Sequence, residues 1–406
     1  MNRFSGTAFS ASLFGILFIS VASAEQNSVE GRPPNALQQS PAFEGQTRAP
    51  EQKAGVAFDV ETILSGLDHP WGMVFLPDGR MLLSDRTTIR IVAEDGAISL
   101  PIIGVPTVDT GDQGGVLDLA LDPNFSDNNR IFFTFSEPGE KPLTSTAVAR
   151  ATLVEREGQA KLDNLTIIFS QSPKLDSRQH YGGRIAFAQD GNLFVTTGER
   201  YVLEGRPQAQ ALDSLLGKIV RIRPNGSIPA DNPFVGNDDV RPEIWSSGHR
   251  NVQGAAIHPS TGELWTIEHG PRGGDELNIP QAGKNYGWPI VTYGVEYNGD
   301  TIGAGLTQKE GIEQPIYYWD PVIAPSGMVF YNSDAVPEWK GSLFIAGLGG
   351  RHIARLTLDG NRVVGEERLL VDLKERFRDV EVGPDGSLYV LTNTRFDGKL
   401  LKLTPK

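Results

Sequence analysis

The sequence predicts an all-β chain folded as a six-bladed β-propeller, with inserted loops forming a site on one face. Three observations carry that reading. From Val56 onward, short runs alternate apolar and polar residues between Gly, Pro, Asn and Asp, and no 3.6-residue period is sustained, so strands are expected rather than helices. One unit then recurs six times, a turn containing Pro, Asp, Asn or Gly followed by a strand of large apolar residues. The first leucine-like positions of the copies are Leu82, Ile131, Leu193, Leu264, Leu343 and Leu388, at intervals of 49, 62, 71, 79 and 45 residues. A four-stranded propeller blade takes about 40 to 50 residues.

In chain order, Pro77-Asp78-Gly79-Arg80 precedes Met81-Leu82-Leu83, and Pro123-Asn124-Phe125 leads to Arg130-Ile131-Phe132-Phe133. Asp190-Gly191-Asn192 precedes Leu193-Phe194-Val195, and Thr261-Gly262-Glu263 precedes Leu264-Trp265. Lys340-Gly341-Ser342 and Pro384-Asp385-Gly386-Ser387 introduce the last two strands. A sandwich of unrelated hairpins would not repeat one signature six times. The longer intervals predict insertions in the third to fifth blades, and insertions on one propeller face build ligand sites. The first strand, around Phe58 to Leu64, is expected to close the ring against strands near the C terminus.

Ahead of the propeller, expected over 56–406, residues 1–24 read as a secretory signal. Arg3 precedes an apolar run through Leu13 to Ile19, and Ala22-Ser23-Ala24 is an A-x-A cleavage site. Residues 25–55 are rich in Gln, Pro, Ser, Ala and Glu and poor in large apolar residues, so they are expected to form a disordered leader. No segment approaches the 18 or so apolar residues of a spanning helix, so membrane insertion is not expected. With no cysteine there is no disulfide framework, and a periplasmic or secreted location is predicted. The net charge of −13 makes nucleic acid and anionic membrane poor partners. Monomer and homodimer are both open.

The chemistry concentrates between Glu243 and Tyr297. Gly248-His249-Arg250-Asn251 is followed by Glu268-His269-Gly270-Pro271-Arg272-Gly273-Gly274-Asp275-Glu276 and by Asn285-Tyr286-Gly287-Trp288-Pro289. An arginine beside an asparagine suits a polar planar ligand, and Gly-Pro carbonyls near Asp and Glu offer the hard oxygen ligands calcium prefers. Turn chemistry alone would also crowd Gly, Asn and Pro here. It does not account for Tyr286, Trp288, Tyr293 and Tyr297, since aromatics in a connection usually wall a pocket or plug a core.

Further upstream, His180 sits on a turn entering the third repeat strand and is a candidate general base, with Glu199 as the carboxylate that would orient it. A histidine beside glycines is also a common turn residue. His69, His258 and His352 read as structural. Zinc spacing, a G-x-S-x-G elbow and phosphate-binding glycine loops are absent from the sequence.

Together, Gln113-Gly114-Gly115, Gln179 to Arg184, Gly248 to Gly254, Glu268 to Pro271, Asn285 to Pro289 and Arg376-Phe377-Arg378-Asp379 resemble the soluble quinoprotein glucose and aldose sugar dehydrogenases. The resemblance runs from about Leu67 to Leu403 and is stronger to the shorter aldose sugar dehydrogenase branch. It implies pyrroloquinoline quinone (PQQ) and Ca2+ as cofactors, an aldose as substrate and an external electron acceptor. It further implies that His180 removes the proton of the sugar C1 hydroxyl while hydride passes to the quinone, and that Arg250 polarises a quinone oxygen.

By the same resemblance Gln113, Asn251, Tyr297, Gly347, Arg376 and Arg378 hold the cofactor, the arginines facing its three carboxylates. The Gly270 and Pro271 carbonyls would support the calcium at PQQ, and Glu276 and Tyr286 match a further calcium site. One departure stands out: where the glucose dehydrogenases carry a cofactor lysine, this chain has Gly349, with Arg351 two residues on. Two alternatives stay open from sequence, a non-catalytic propeller that binds glycans or proteins and a calcium-dependent lactone hydrolase.

Overall fold

The computed structural model of the chain describes Met1, residues 28–156 and residues 158–406. The expected signal segment lies, apart from Met1, outside the described residues. Among those described, no helix is long and apolar enough to cross a membrane.

Six antiparallel sheets stand around a central axis, as the repeat predicted. Blade 1 has the three strands Pro70–Phe75, Met81–Asp85 and Thr88–Val92, and each of the others has four. The first strand of each blade faces the axis: Pro70–Phe75, Val116–Leu121, Gly182–Phe187, Val252–Ile257, Pro325–Phe330 and Phe377–Val382 pack side by side around the channel. The second strands of neighbouring blades supply the apolar filling, with Leu82, Ile131, Leu193, Leu343 and Leu388 all fully buried.

Every one of the six signatures is the turn from a blade's first strand into its second, followed by that second strand. The turn needs one residue in the left-handed region. Gly79, Gly191, Gly262, Gly341 and Gly386 supply it with φ between 75° and 89°, and Asn129 does so in the second blade at 50° after a short helix, Phe125–Asn128. The ring closes as expected, because strand Phe58–Leu67 pairs antiparallel with Gly398–Pro405, Phe58 opposite Pro405 and Leu67 opposite Gly398.

The insertions differ from expectation in their placement. Blade 3 carries connections 198–217 and 223–243, and blade 4 carries the long excursion 279–316, whereas blade 5 is compact. The signature lies in each blade's inner half, so an interval includes the outer half of the earlier blade. The 62-residue interval reflects no inserted loop but the long strands Thr144–Arg156 and Gln159–Ser170 of blade 2.

The expectation of a disordered leader over 25–55 does not hold for residues 28–55. They form a strap across blades 4 and 5, ordered by hydrogen bonds to the propeller rather than by apolar burial of their own. Asp320 accepts from the backbone N–H of Asn35 (2.8 Å) and Ala36 (3.0 Å), Gln46 Nε2 donates to Pro315 O (2.8 Å), and Arg368 Nη1 pairs with Glu30 (3.0 Å). Asp320→Ala removes the acceptor from both N–H groups and is expected to cost about 1–3 kcal/mol. Urea unfolding checks this, and an unchanged midpoint would show the strap to be thermodynamically idle.

At the axis, the buried Arg184 pairs with Asp118 and Asp379, both at 2.9 Å, and lies over the ring of Trp71 at 4.2 Å. Two of those groups also fix backbone, since Asp118 accepts from Ile185 N–H and Asp379 from Met73 N–H. This knot ties blades 1, 2, 3 and 6 beneath the site.

Candidate active site

Most of the candidate residues fall in connections from one blade's last strand to the next blade's first or from second to third strands; Glu276, Gly347 and Arg378 lie on strands, and Tyr286 and Tyr297 lie on the excursion 279–316 between the third and fourth strands of blade 4. Those connections lie on one face of the ring and the six signature turns on the other. Residues in sparsely allowed left-handed backbone gather on the candidate face as well, among them His69 (φ 51°), Arg86 (33°), Asp112 (46°), His180 (49°), Arg200 (73°), Tyr201 (70°) and Arg351 (54°). Such strain persists only where surrounding structure fixes it, and it concentrates at functional sites.

His180 enters the first strand of blade 3 and Glu199 leaves its second, which brings His180 Nδ1 to 2.9 Å from Glu199 Oε1. The other Glu199 oxygen accepts from Tyr201 N–H, and the Tyr201 ring meets the imidazole edge to face at 5.0 Å. Both partners of the pair are buried. Burial, and then the charge of Arg250, hold His180 down to about 4 despite the opposing pull of Glu199. The imidazole is therefore neutral at pH 7 and able to accept a proton, with Nε2 unbonded among the described residues.

Arg250 enters blade 4. Its backbone N–H is fixed by Glu268 (2.7 Å), and its Nη1 donates to His269 O (3.1 Å) and Gly270 O (2.7 Å). Nη2 lies 3.3 Å from the Tyr297 hydroxyl, the guanidinium sits 5.1 Å from the Trp288 ring centre, and buried Nε has no partner among the described residues. Tyr297 itself is 55% exposed at the rim, on the excursion 279–316. Asn251 uses Oδ1 to accept from Gly182 N–H (3.1 Å) and Gln253 Nε2 (3.2 Å), stitching blades 3 and 4.

A cavity of about 260 Å³ opens over the channel. Trp71, Leu117 and Tyr181, which pack together, give it an apolar base, and Gln113 lines it while accepting from His180 N–H (2.9 Å). Arg376 and Arg378 line the blade 6 side. Arg378 Nη1 donates to Gln253 Oε1 (3.0 Å) and Ser326 Oγ (3.2 Å), its Nε is buried without a partner among the described residues, and burial with the charges of Arg184 and Arg376 lowers it to about 9. Neither arginine has a carboxylate partner within salt-bridge distance among the described residues.

Gly347 ends the second strand of blade 5 and accepts from Arg351 N–H (3.1 Å). It does not line this cavity; the adjacent Leu348 does. The 320–326 loop, which the sequence left unassigned, runs beneath: Ile323 and Ala324 N–H both donate to Asp275 (2.7 Å), and Pro325 O lies 2.7 Å from His269 Nε2.

Beside Arg250, a second space of about 10 Å³ is lined by Gly270, Pro271, Glu276 and Tyr286, together with Glu268. It has room for about one water or ion. The two pairs of calcium candidates thus share one cavity. Burial, reinforced by the charge of Glu268, raises Glu276 well above the usual carboxylate range. A carboxylate so placed calls for a cation or a proton. Tyr286 stacks on His249 at 5.0 Å, and its hydroxyl donates to Ile279 O (2.8 Å). The Gly270 carbonyl is engaged by Arg250, which links the two neighbourhoods.

Several lining residues had no sequence signal. His69, read as structural, lines the cavity, as do Trp71, Arg86 and Asn393. They are isolated residues on short connections and inner strands, where no local pattern marks them. His258 is structural as expected, its Nδ1 accepting from Ser260 and Thr261 N–H, and His352 is buried with Nδ1 2.8 Å from Gly350 O.

A neutral buried imidazole next to a cavity walled by guanidiniums suits an enzyme that takes a proton from its substrate while holding an anionic partner, which points to the dehydrogenases among the propeller proteins. The sequence profile of the Glucose / Sorbosone dehydrogenase family matches residues 67–402, and the chain belongs to that family. It is 44% identical over 356 residues to the aldose sugar dehydrogenase YliI of Escherichia coli (strain K12), covering 87% of this chain and 94% of that protein. The crystal structure of the soluble aldose sugar dehydrogenase from Escherichia coli in the apo-form superposes with a TM-score of 0.82 at 45% identity, over 86% of this chain and 100% of that one. The PQQ-bound form of the aldose sugar dehydrogenase from Streptomyces coelicolor gives 0.70 at 29% identity, over 86% and 99%.

Proposed function

We propose that the chain oxidises the C1 hydroxyl of aldose sugars to lactones as a PQQ-dependent dehydrogenase exported to the periplasm or beyond, passing electrons to an external acceptor. The observation that carries this reading is the buried His180–Glu199 pair, kept neutral at pH 7 beside Arg250 and a cationic cavity. The residues fit the cofactor: Arg376 and Arg378 have no carboxylate partner among the described residues, and buried N–H groups of Arg250 and Arg378 lack acceptors. PQQ, when bound, supplies a quinone that accepts the hydride from C1.

His180 Nε2 takes the hydroxyl proton as the C1–O bond becomes a carbonyl, and Glu199 on Nδ1 fixes the tautomer and steadies the imidazolium that results. Arg250 holds positive charge where negative charge develops on the acceptor. Arg376, Arg378, Asn251 and Gln113 orient the cofactor, and Tyr297 borders the entrance. Calcium would be held by Glu276 and by carbonyls at Gly270 and Pro271, a hard oxygen set. The hydrolase alternative needs several carboxylates converging on one ion. Among the described residues, no group of three or more His, Cys, Asp or Glu is placed to hold a metal.

The test is reduction of an artificial electron acceptor by purified apoprotein with calcium and an aldose, with and without PQQ. Turnover that depends on PQQ is expected. If PQQ neither binds nor confers turnover across a panel of aldoses, the reading fails.

A further inference from the structure

We infer that Arg86 supplies the third cationic contact to the carboxylates of PQQ, a role that nothing in the sequence motifs assigned to it. The inference rests on the cofactor reading above. Three arginines line the 260 Å³ cavity, Arg86, Arg376 and Arg378, and a single acidic residue joins them, Asp112, whose Oδ2 accepts from Gln179 Nε2 at 2.5 Å. In a chain of net charge −13, this lining is net cationic. Arginine forks match carboxylates, and three stand around a space proposed to take a tricarboxylate.

Arg86 is also built into place. It sits between the second and third strands of blade 1 with φ 33°, and its carbonyl accepts from Val116 N–H at 2.8 Å. A Cβ on Gly115 would stand 2.4 Å from that carbonyl, so only glycine lets the two connections meet. Among the described residues its guanidinium makes one hydrogen bond, from Nη2 to Thr110 O, and no ion pair. Its remaining N–H groups are available to a ligand.

Arg351, two residues on from Gly349, is placed otherwise. Its Nη1 donates to Lys374 O at 3.3 Å, and it does not line the cavity. Gly349 and Gly350 N–H both donate to Ile323 O (2.8 and 2.7 Å), holding this loop down on 320–326 and turning Leu348 toward the cavity. The blade 5 wall is therefore apolar, and the added cation comes from blade 1, on the other side of Arg376 and Arg378.

Isothermal titration of calcium-loaded apoprotein with PQQ tests this in four forms: the native protein, Arg86→Gln, Arg86→Lys and Arg351→Gln. Losing a charge-assisted hydrogen bond predicts about 10-fold to 100-fold weaker binding for Arg86→Gln. Arg86→Lys should recover part of that loss, and Arg351→Gln should stay within about two-fold of native, as expected for an exposed charge off the site. Unchanged PQQ affinity in Arg86→Gln, an equal loss in Arg351→Gln, or a loss that Arg86→Lys leaves untouched while restoring the cofactor-free melting temperature would overturn the inference. A native protein that binds no PQQ would instead sink the cofactor reading itself.

Discussion

Replacing His180 with alanine is expected to lower kcat with aldoses by about 10²–10⁴-fold, the usual contribution of a positioned general base. PQQ affinity should change far less, because the cofactor is proposed to be held by groups on blades 1, 4 and 6. The pH profile supplies a sharper check. Burial lowers the proton affinity of His180 to about 4, so the imidazole loses its basic form only as the pH falls through that value. The acid limb of kcat/KM in the native enzyme should therefore fall near pH 4 rather than near the ordinary histidine value of 6.5. Glu199 raises the affinity of His180 for its proton, so Glu199→Gln should move the acid limb lower still while reducing kcat. An acid limb near 6.5, or a His180→Ala enzyme with near-native turnover, would remove His180 from the mechanism.

Substituting Glu276 with glutamine should act in opposite directions with and without calcium. Without the ion, Glu276 and Glu268 line one small cavity where their charges oppose each other, and neutralising one relieves that repulsion. The calcium-free melting temperature of Glu276→Gln should rise. With calcium at about 100 times its dissociation constant, the native protein gains about 2.7 kcal/mol from mass action, and the variant should lose most of that gain. Calorimetric melts with calcium and with chelator separate the two effects. Equal calcium shifts in native and variant protein would show that the ion, if it binds, does not use Glu276.

The ring was legible because it is written locally. Each blade needs a left-handed residue at the same turn and a run of large apolar residues directly after it, and both survive as short patterns in the chain. The closing strand, expected around Phe58 to Leu64, runs over Phe58–Leu67 and pairs with the C-terminal strand. The strap was not legible. It is held by acceptors such as Asp320 and Pro315, more than 260 residues away, and composition reports only on burial within the segment itself. At the site, residues embedded in dense motifs, such as His180, Arg250 and Arg378, drew notice. Single residues such as Trp71 and Arg86 become neighbours of these only through ring curvature, which no spacing along the chain expresses. The shared cavity of Gly270, Pro271, Glu276 and Tyr286 depends likewise on how the excursion 279–316 climbs back along blade 4.

The pairing of Phe58–Leu67 with Gly398–Pro405 sets a timetable for assembly. A nascent chain can build its middle blades one after another from contacts close in sequence, yet its circle stays open until the final strand is available to meet the first. Joining partners separated by more than 300 positions is entropically slow, and contacts of that span delay folding more than local hairpins do. Arg376 and Arg378 belong to the same last blade, so the binding cavity matures at that final step rather than gradually. Cofactor loading should then follow completion of the polypeptide, and a chain stopped short by one strand would be an open arc with exposed edges and no place for its ligand.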